Sequence, residues 1–259
     1  MAALSYDSAE LLKNFAARKG ITYPLLSDPE SQVIRAFGIL NVNFKPGELP
    51  YGAPFPGMYL VDERGIVRAK FFEDDHVERY TAASILVRHF AAAGAEKTEV
   101  QTRHLKLISS ASDATVWPGN RITLALDLDL KPGMHVYAPG VKGGYIPIDW
   151  KMPESKDWLA LPVTYPESRM LNLPVIHETV PVYRDRLHLT RDLTIGMPLA
   201  PRELTIEGAF RYQACDDKEC YPPQTIPLKW TFQVEQLDGQ RAPAQLQRKV
   251  TPPAPASPR

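Results

Sequence analysis

The sequence predicts two successive domains, an α/β region followed by an all-β antiparallel sandwich, and three observations carry that expectation. The chain has 259 residues, more than one domain of ordinary size uses. Its first ninety or so residues place apolar side chains at helical spacing around one strand pair, whereas beyond about residue 103 the apolar period falls to two. Between these stretches, from Gly94 to Thr102, the sequence turns small and polar, as a linker does.

In the first region, 1–93, Asp7 and Ser8 can cap a helix whose apolar face is Leu11, Leu12, Phe15 and Ala16. Glu10 stands where a capping-box acid reaches back to Asp7, and Gly20 ends the helix. Asp28 followed by Pro29 starts a second helix with proline at its first position, Val33, Ile34 and Phe37 on its buried side, and Gly38 as its close. Met58 to Val61 and Ile66 to Phe72, joined by the turn Asp62-Glu63-Arg64-Gly65, read as a β-hairpin. Glu78 to Ala93 then returns to helical spacing through Ile85, Leu86 and Phe90.

The second region, 103–236, opens with Ile122, Leu124, Leu126 and Leu128 alternating with Thr123, Ala125, Asp127 and Asp129. Near its end Leu228, Trp230, Phe232 and Val234 alternate with Lys229, Thr231, Gln233 and Glu235, so each run buries one face of a sheet. Further strands are expected around Ile146 to Trp150, Val180 to Leu189 and Leu204 to Tyr212, parted by Pro- and Gly-rich turns, which is the rhythm of an antiparallel sandwich. The remainder, 237–259, is rich in proline and alanine with almost no large apolar residue; it cannot offset its ordering entropy and is expected to be a disordered tail.

Composition narrows the function classes. Lysine plus arginine equals aspartate plus glutamate at 30 each, which gives no excess charge to draw the chain to nucleic acid or an anionic membrane. No run approaches the roughly 18 apolar residues of a membrane-spanning helix, and the start of the chain shows no basic-then-apolar export pattern. The basic residues are scattered without interleaved aromatics, which argues against a nucleic-acid surface. Gly143-Gly144 is an isolated pair in a turn rather than a phosphate loop, and Asp74, Asp75 and His76 read as a solvated junction rather than a metal site. No cofactor and no metal is implied.

Chemistry concentrates at Cys215 and Cys220, the two cysteines of the chain, separated by Asp216, Asp217, Lys218 and Glu219. Three readings stay open on these residues alone: a structural staple, a redox-active pair, or inert thiols or half a metal site completed by His135 or His177. As a staple the bond would be weak, since closing a six-residue ring removes unfolded-state entropy worth only about 2 kcal/mol. The acidic residues between the cysteines disfavour a thiolate, which suits exchange with a docked partner better than unaided attack on a small oxidant.

The stretch YQACDDKECYPPQTIPL, with VYRDRLHL before it and KPGMHVYAP further upstream, resembles the N-terminal periplasmic domain of the DsbD thiol:disulfide interchange family over roughly 105–235. That resemblance implies an immunoglobulin-like sandwich in which Cys215 and Cys220 shuttle a disulfide between a membrane-embedded electron source and thioredoxin-like partners. It also implies that Tyr137 and Tyr221 line the site; the plain alternative for Tyr137 is an ordinary core tyrosine. The sequence departs from the family in three places. The cysteine spacing is one residue shorter than the usual form, and His135 stands where an aromatic is common. The third is NLPVIHE, where the family has an aromatic-tipped covering loop; there Ile176 and His177 would have to do the shielding.

LSYDSAELLKNFAARKGITYPLLSDP and FPGMYLVDERGIVRAKFF resemble the second half of an AhpC/TSA-type peroxiredoxin, which implies a thioredoxin-like α/β region without its active-cysteine segment. Pro56 matches the proline that faces the active cysteine in that fold, commonly in cis. Region 1–93 has no cysteine, so a peroxidatic attack is not expected from it. The expectation is therefore thiol–disulfide exchange with thioredoxin-like or membrane dithiol proteins, by partner attack on one sulfur and resolution by the other. The alternatives are an antioxidant-peroxidase remnant and a binding module with a structural disulfide. Location is expected to be periplasmic if an export signal precedes the chain and cytoplasmic otherwise.

Overall fold

A computed structural model describes residues 1–72, 78–90, 94–173 and 178–249. The chain is mostly β with few helices and divides into two compact units, one formed by described residues 1–72 and 238–249, the other by 78–237. The first unit contains β1 (Ala3–Ser5), α1 (Ala9–Lys19), β2 (Leu25–Ser27), α2 (Gln32–Ala36), β3 (Gly57–Val61) and β4 (Val67–Phe72). Helix α1 follows its sequence signals: the Ser8 hydroxyl accepts the Leu11 N–H, and Gly20 takes the left-handed conformation, φ 63°, from which its N–H reaches the Ala16 carbonyl. Helix α2 starts later than its proline suggested. Asp28, 7% exposed, receives the N–H groups of Gln32 and Ile34, so its carboxylate caps a shorter helix.

The hairpin of β3 and β4 turns at Asp62, whose carboxylate accepts the N–H groups of Arg64 and Ile66. Strands β1 and β2 form a parallel pair, and the two pairs remain separate two-stranded sheets among the described residues. The buried apolar side chains of this unit are Leu12 and Ile34, while Val33 and Phe37 of the expected buried face are exposed. Residues 238–249, expected to be disordered, contact the same unit: Lys19 pairs with Asp238 at 2.5 Å, and the Arg248 guanidinium donates to the carbonyls of Tyr6 and Tyr51 while lying over the Tyr6 ring.

The second unit begins with β5 (Arg79–Tyr80), α3 (Ala82–Phe90), β6 (Ala95–Gln101), β7 (Leu105–Ala111), β8 (Thr115–Val116) and β9 (Asn120–Leu130). It continues with β10 (His135–Tyr137), β11 (Asp149–Lys151), β12 (Trp158–Thr164), β13 (Arg169–Leu173), β14 (Glu178–Arg184) and β15 (Arg186–Ile195). Strands β16 (Arg202–Tyr212), β17 (Ala214–Cys215) and β18 (Gln224–Val234) complete it. One sheet has the order β12-β15-β9-β7-β6 with β5 alongside β9, and the facing sheet has the order β11-β16-β18-β8. Leu107, Leu126 and Leu189 from the first meet Ile206, Phe210 and Phe232 from the second in one buried core. Burying both apolar faces against each other is what holds this antiparallel sandwich together.

Two segments fall differently from the sequence division. Residues 95–101, read as linker, form edge strand β6, antiparallel to β7. Helix α3, grouped by sequence with the first region, packs on β9. Its N-terminus is capped by Thr81, whose hydroxyl accepts the Ser84 N–H and donates to Asp113. Its inner face is Ser84, Ile85 and Val87, while Leu86 and Phe90 stay exposed. Asp192, 7% exposed on β15, accepts from Tyr80, Arg88 and the Thr123 hydroxyl and so ties helix to sheet.

Candidate functional site

A third sheet, order β13-β14-β10-β17, carries the cysteine chemistry. Strand alternation sorts its residues. Val136, Tyr183 and Ala214 lie across from one another and enter the main core, so Tyr137, Val182 and Cys215 must face the other way. There, with Val180, they form a second buried cluster against which Val141, Tyr145, Leu171 and Leu173 pack.

Cys215 and Cys220 form a disulfide with Cα atoms 4.1 Å apart. The two sulfur residues differ in access, since Cys215 is 1% exposed and Cys220 is exposed. The Tyr137 hydroxyl lies 3.6 Å from the Cys220 Sγ. Tyr137 itself is 2% exposed, and its phenol pKa is raised by burial and by the Glu178 charge, so it remains a protonated donor at neutral pH. Its ring lies 4.5 Å from that of Tyr145, whose hydroxyl donates to Glu178 at 2.5 Å. This bond holds the Tyr145 phenol up at about 12.

The loop between the cysteines is organised by bonds that do not involve sulfur. Backbone pairs Tyr221 N–H to Ala214 O and Asp216 N–H to Glu219 O make a narrow hairpin end. Asp216 accepts the N–H groups of Lys218 at 2.8 Å and Glu219 at 2.9 Å through one carboxylate oxygen, and the Tyr221 hydroxyl at 2.8 Å through the other. The Glu219 N–H, then the Lys218 N–H and the Tyr221 hydroxyl, hold the Asp216 carboxyl down at about 2, so its charge persists at every ordinary pH. The Tyr221 ring lies 4.5 Å from that of His104, with the Arg103 guanidinium 5.2 Å from its centroid.

The described residues expected at the site fall as follows. The Tyr137 hydroxyl lies against the Cys220 sulfur, and the Tyr221 hydroxyl against the Asp216 carboxylate in the loop. His135 lies directly across from Cys215 on β10, is 2% exposed and has no hydrogen-bond partner at either ring nitrogen. Burial lowers its pKa and Arg184 adds to this, so the ring is neutral at pH 7. No group of three or more His, Cys, Asp or Glu side chains suited to a metal occurs among the described residues. Ile176 and His177 lie outside the described residues, as do Asp74, Asp75 and His76. Pro56 precedes β3 in the first unit; the cis peptide among the described residues is Met197–Pro198, not the bond at Pro56.

Sequence reasoning missed Tyr145, Glu178 and His104 beside the cysteines, and read Asp216 as a loop charge without its hydrogen bonds. Asp216 had a readable signal, an aspartate at the start of a tight loop whose side chain can bond the backbone two and three residues on. Tyr145 and Glu178 meet across a separation of 33 residues, and no local pattern announces such a pair.

Comparison with known proteins gives two family matches. Residues 106–229 match the family model described as "Thiol:disulfide interchange protein DsbD, N-terminal", and residues 1–70 match that of the AhpC/TSA family. No curated protein matches the chain. Among solved structures, the N-terminal periplasmic domain of ScsB from Proteus mirabilis aligns with TM-score 0.40 and 13% identity over 53% of this chain and 51% of that one. The chain thus spans about half the length of that relative. The DsbD N-terminal domain of Neisseria meningitidis, in its reduced form, aligns with TM-score 0.31 and 12% identity over 42% of this chain and 82% of that one. The chain therefore resembles two thiol-redox families in succession, AhpC/TSA at its start and the DsbD N-terminal domain across the sandwich that holds Cys215 and Cys220.

Proposed function

We propose that the protein exchanges its Cys215–Cys220 disulfide with thioredoxin-like dithiol proteins, through an immunoglobulin-like sandwich that follows a thioredoxin-like α/β region. The observation that carries this reading is the asymmetry of the pair: one sulfur residue is exposed beside a buried tyrosine hydroxyl, and the other is sealed in an apolar cluster. A permanent brace needs neither feature.

The partner's thiolate attacks the Cys220 Sγ, a bond forms between the two proteins, and the Cys215 sulfur leaves with the electron pair and takes up a proton. A second partner thiolate then attacks the partner's sulfur in the mixed disulfide and releases the Cys220 thiolate. The partner ends oxidised to a disulfide and this chain reduced to a dithiol. The reverse sequence oxidises the chain. The Tyr137 hydroxyl supports the Cys220 thiolate by donating to it as it leaves or before it attacks. The fixed charge of Asp216 and the neighbouring Asp217 and Glu219 hold back spontaneous thiolate formation, which fits a pair that acts on a docked protein rather than on free oxidant.

Measuring the reduction potential tests the reading. A functional pair lies well above about −300 mV and is reduced by reduced thioredoxin, whereas a value below that marks a structural bridge.

A further inference from the structure

None of the bonds that shape the cysteine loop passes through sulfur. The Asp216 carboxylate ties down two backbone N–H groups and the Tyr221 hydroxyl, and Gln213 Nε2 donates to the Tyr221 carbonyl at 3.1 Å. The Tyr221 ring is in turn packed against His104, which is 5% exposed in the loop before β7, so the clamp is anchored to the sandwich rather than to the loop alone. The backbone pairing on either side of the cysteines, whose Cα atoms lie 4.1 Å apart, is likewise independent of the S–S bond.

We propose that Asp216 and Tyr221 are positioning residues that set the reduction potential of the pair, by holding the reduced loop in the shape of the oxidised one. This rests on the exchange reading above. A loop already folded loses little freedom when the ring closes, so the two thiols act at high effective concentration on each other, and the disulfide form is favoured. Releasing the clamp lets the dithiol form relax and gain entropy. Ring closure then becomes less favourable and the potential rises, by about 30 mV for each tenfold loss in the closing constant.

The equilibrium to measure is that of the full chain with glutathione: protein disulfide plus two glutathione thiols gives protein dithiol plus glutathione disulfide. Tyr221→Phe removes one hydroxyl and no charge; Asp216→Ala removes all three bonds to the carboxylate; Asp217→Ala removes the same charge as Asp216→Ala but only a distant 3.9 Å pairing with Arg184. The expected result is a several-fold fall in the closing constant for Tyr221→Phe and a fall of about tenfold or more for Asp216→Ala, with Asp217→Ala well short of it. Circular dichroism and melting of each variant confirm that the sandwich is folded. Equal shifts for the two aspartate variants would show that charge alone acts, and an unmoved Tyr221→Phe would remove the clamp; either overturns the proposal. A wild-type potential in the structural range would overturn the exchange reading on which this one rests, whereas a functional wild-type potential with equal aspartate shifts or an unmoved Tyr221→Phe would overturn this proposal alone.

Discussion

Replacing Tyr137 by phenylalanine removes the hydroxyl that lies against the Cys220 sulfur, the one proposed to be attacked. The ring stays, with its packing against Tyr145 and the Val182 side of the sheet, so the change is confined to the donor 3.6 Å from the Cys220 Sγ. A hydrogen bond to a charged acceptor contributes about 1.5–3 kcal/mol, and the long contact to a diffuse sulfur argues for less, about 1 kcal/mol. At 1.36 kcal/mol per unit, the thiol pKa of reduced Cys220 should then rise by about 0.7, and its thiolate fraction near neutrality should fall about fivefold. The rate falls less than that, because a more basic thiolate is a better nucleophile. With a Brønsted slope near 0.45, the net loss is about two- to threefold. The assay is the pH dependence of iodoacetamide alkylation of the reduced protein, read at Cys220 by mass spectrometry. A pKa that does not move, or that falls, would refute a donor role for Tyr137 in supporting the thiolate.

Other expectations follow from the same geometry. In the reduced wild type, Cys220 should be alkylated about tenfold or more faster than Cys215, because one is exposed and the other 1% exposed; equal rates would contradict the sealed cluster. Asp192→Ala should destabilise the second unit by about 2–3 kcal/mol in urea unfolding and strip exchange protection from α3, since it leaves Arg88, Tyr80 and Thr123 without their shared acceptor. Unchanged stability would mean that the helix is held by apolar contact alone. Asp216 has a folded pKa of about 2, below the usual 3.8, so its contribution to loop order is complete above about pH 4 and is lost as the pH falls through 2. Amide exchange at Lys218 and Glu219 should therefore lose its protection over that window, and retained protection at pH 2 would speak against the carboxylate as the acceptor.

How far the sequence could be read depended on whether one face or two was buried. Strand β18 was plain because Leu228, Trp230, Phe232 and Val234 enter the core while Lys229, Gln233 and Glu235 do not. Strand β9 was legible at its Asp127 and Asp129 end, yet Thr123 and Ala125 are buried too: Thr123 donates to Asp192, and helix α3 packs on this strand. The stretch from Val180 to Leu189 reads as one strand but is parts of two, β14 and β15, separated at Asp185, whose φ of 62° turns the chain. Strand β6 was hidden by its charges, Glu96, Lys97 and Glu99, which suit an exposed edge as well as they suit a linker. Helical periodicity located α3 but said nothing of which sheet it would cover. At the site, the cysteines were visible from their spacing, and Tyr137 and Tyr221 from the family resemblance. Tyr145, Glu178 and His104 were not, since their roles come from contacts between distant segments.

The most direct test of the central claim is covalent capture. A thioredoxin-like protein stripped of its second cysteine should displace thionitrobenzoate from Cys220 of the Cys215→Ser variant loaded with that group, and accumulate as a mixed disulfide joined at Cys220; the Cys220→Ser variant, loaded in the same way, should not capture it. Capture at Cys215, or by neither variant, would contradict it.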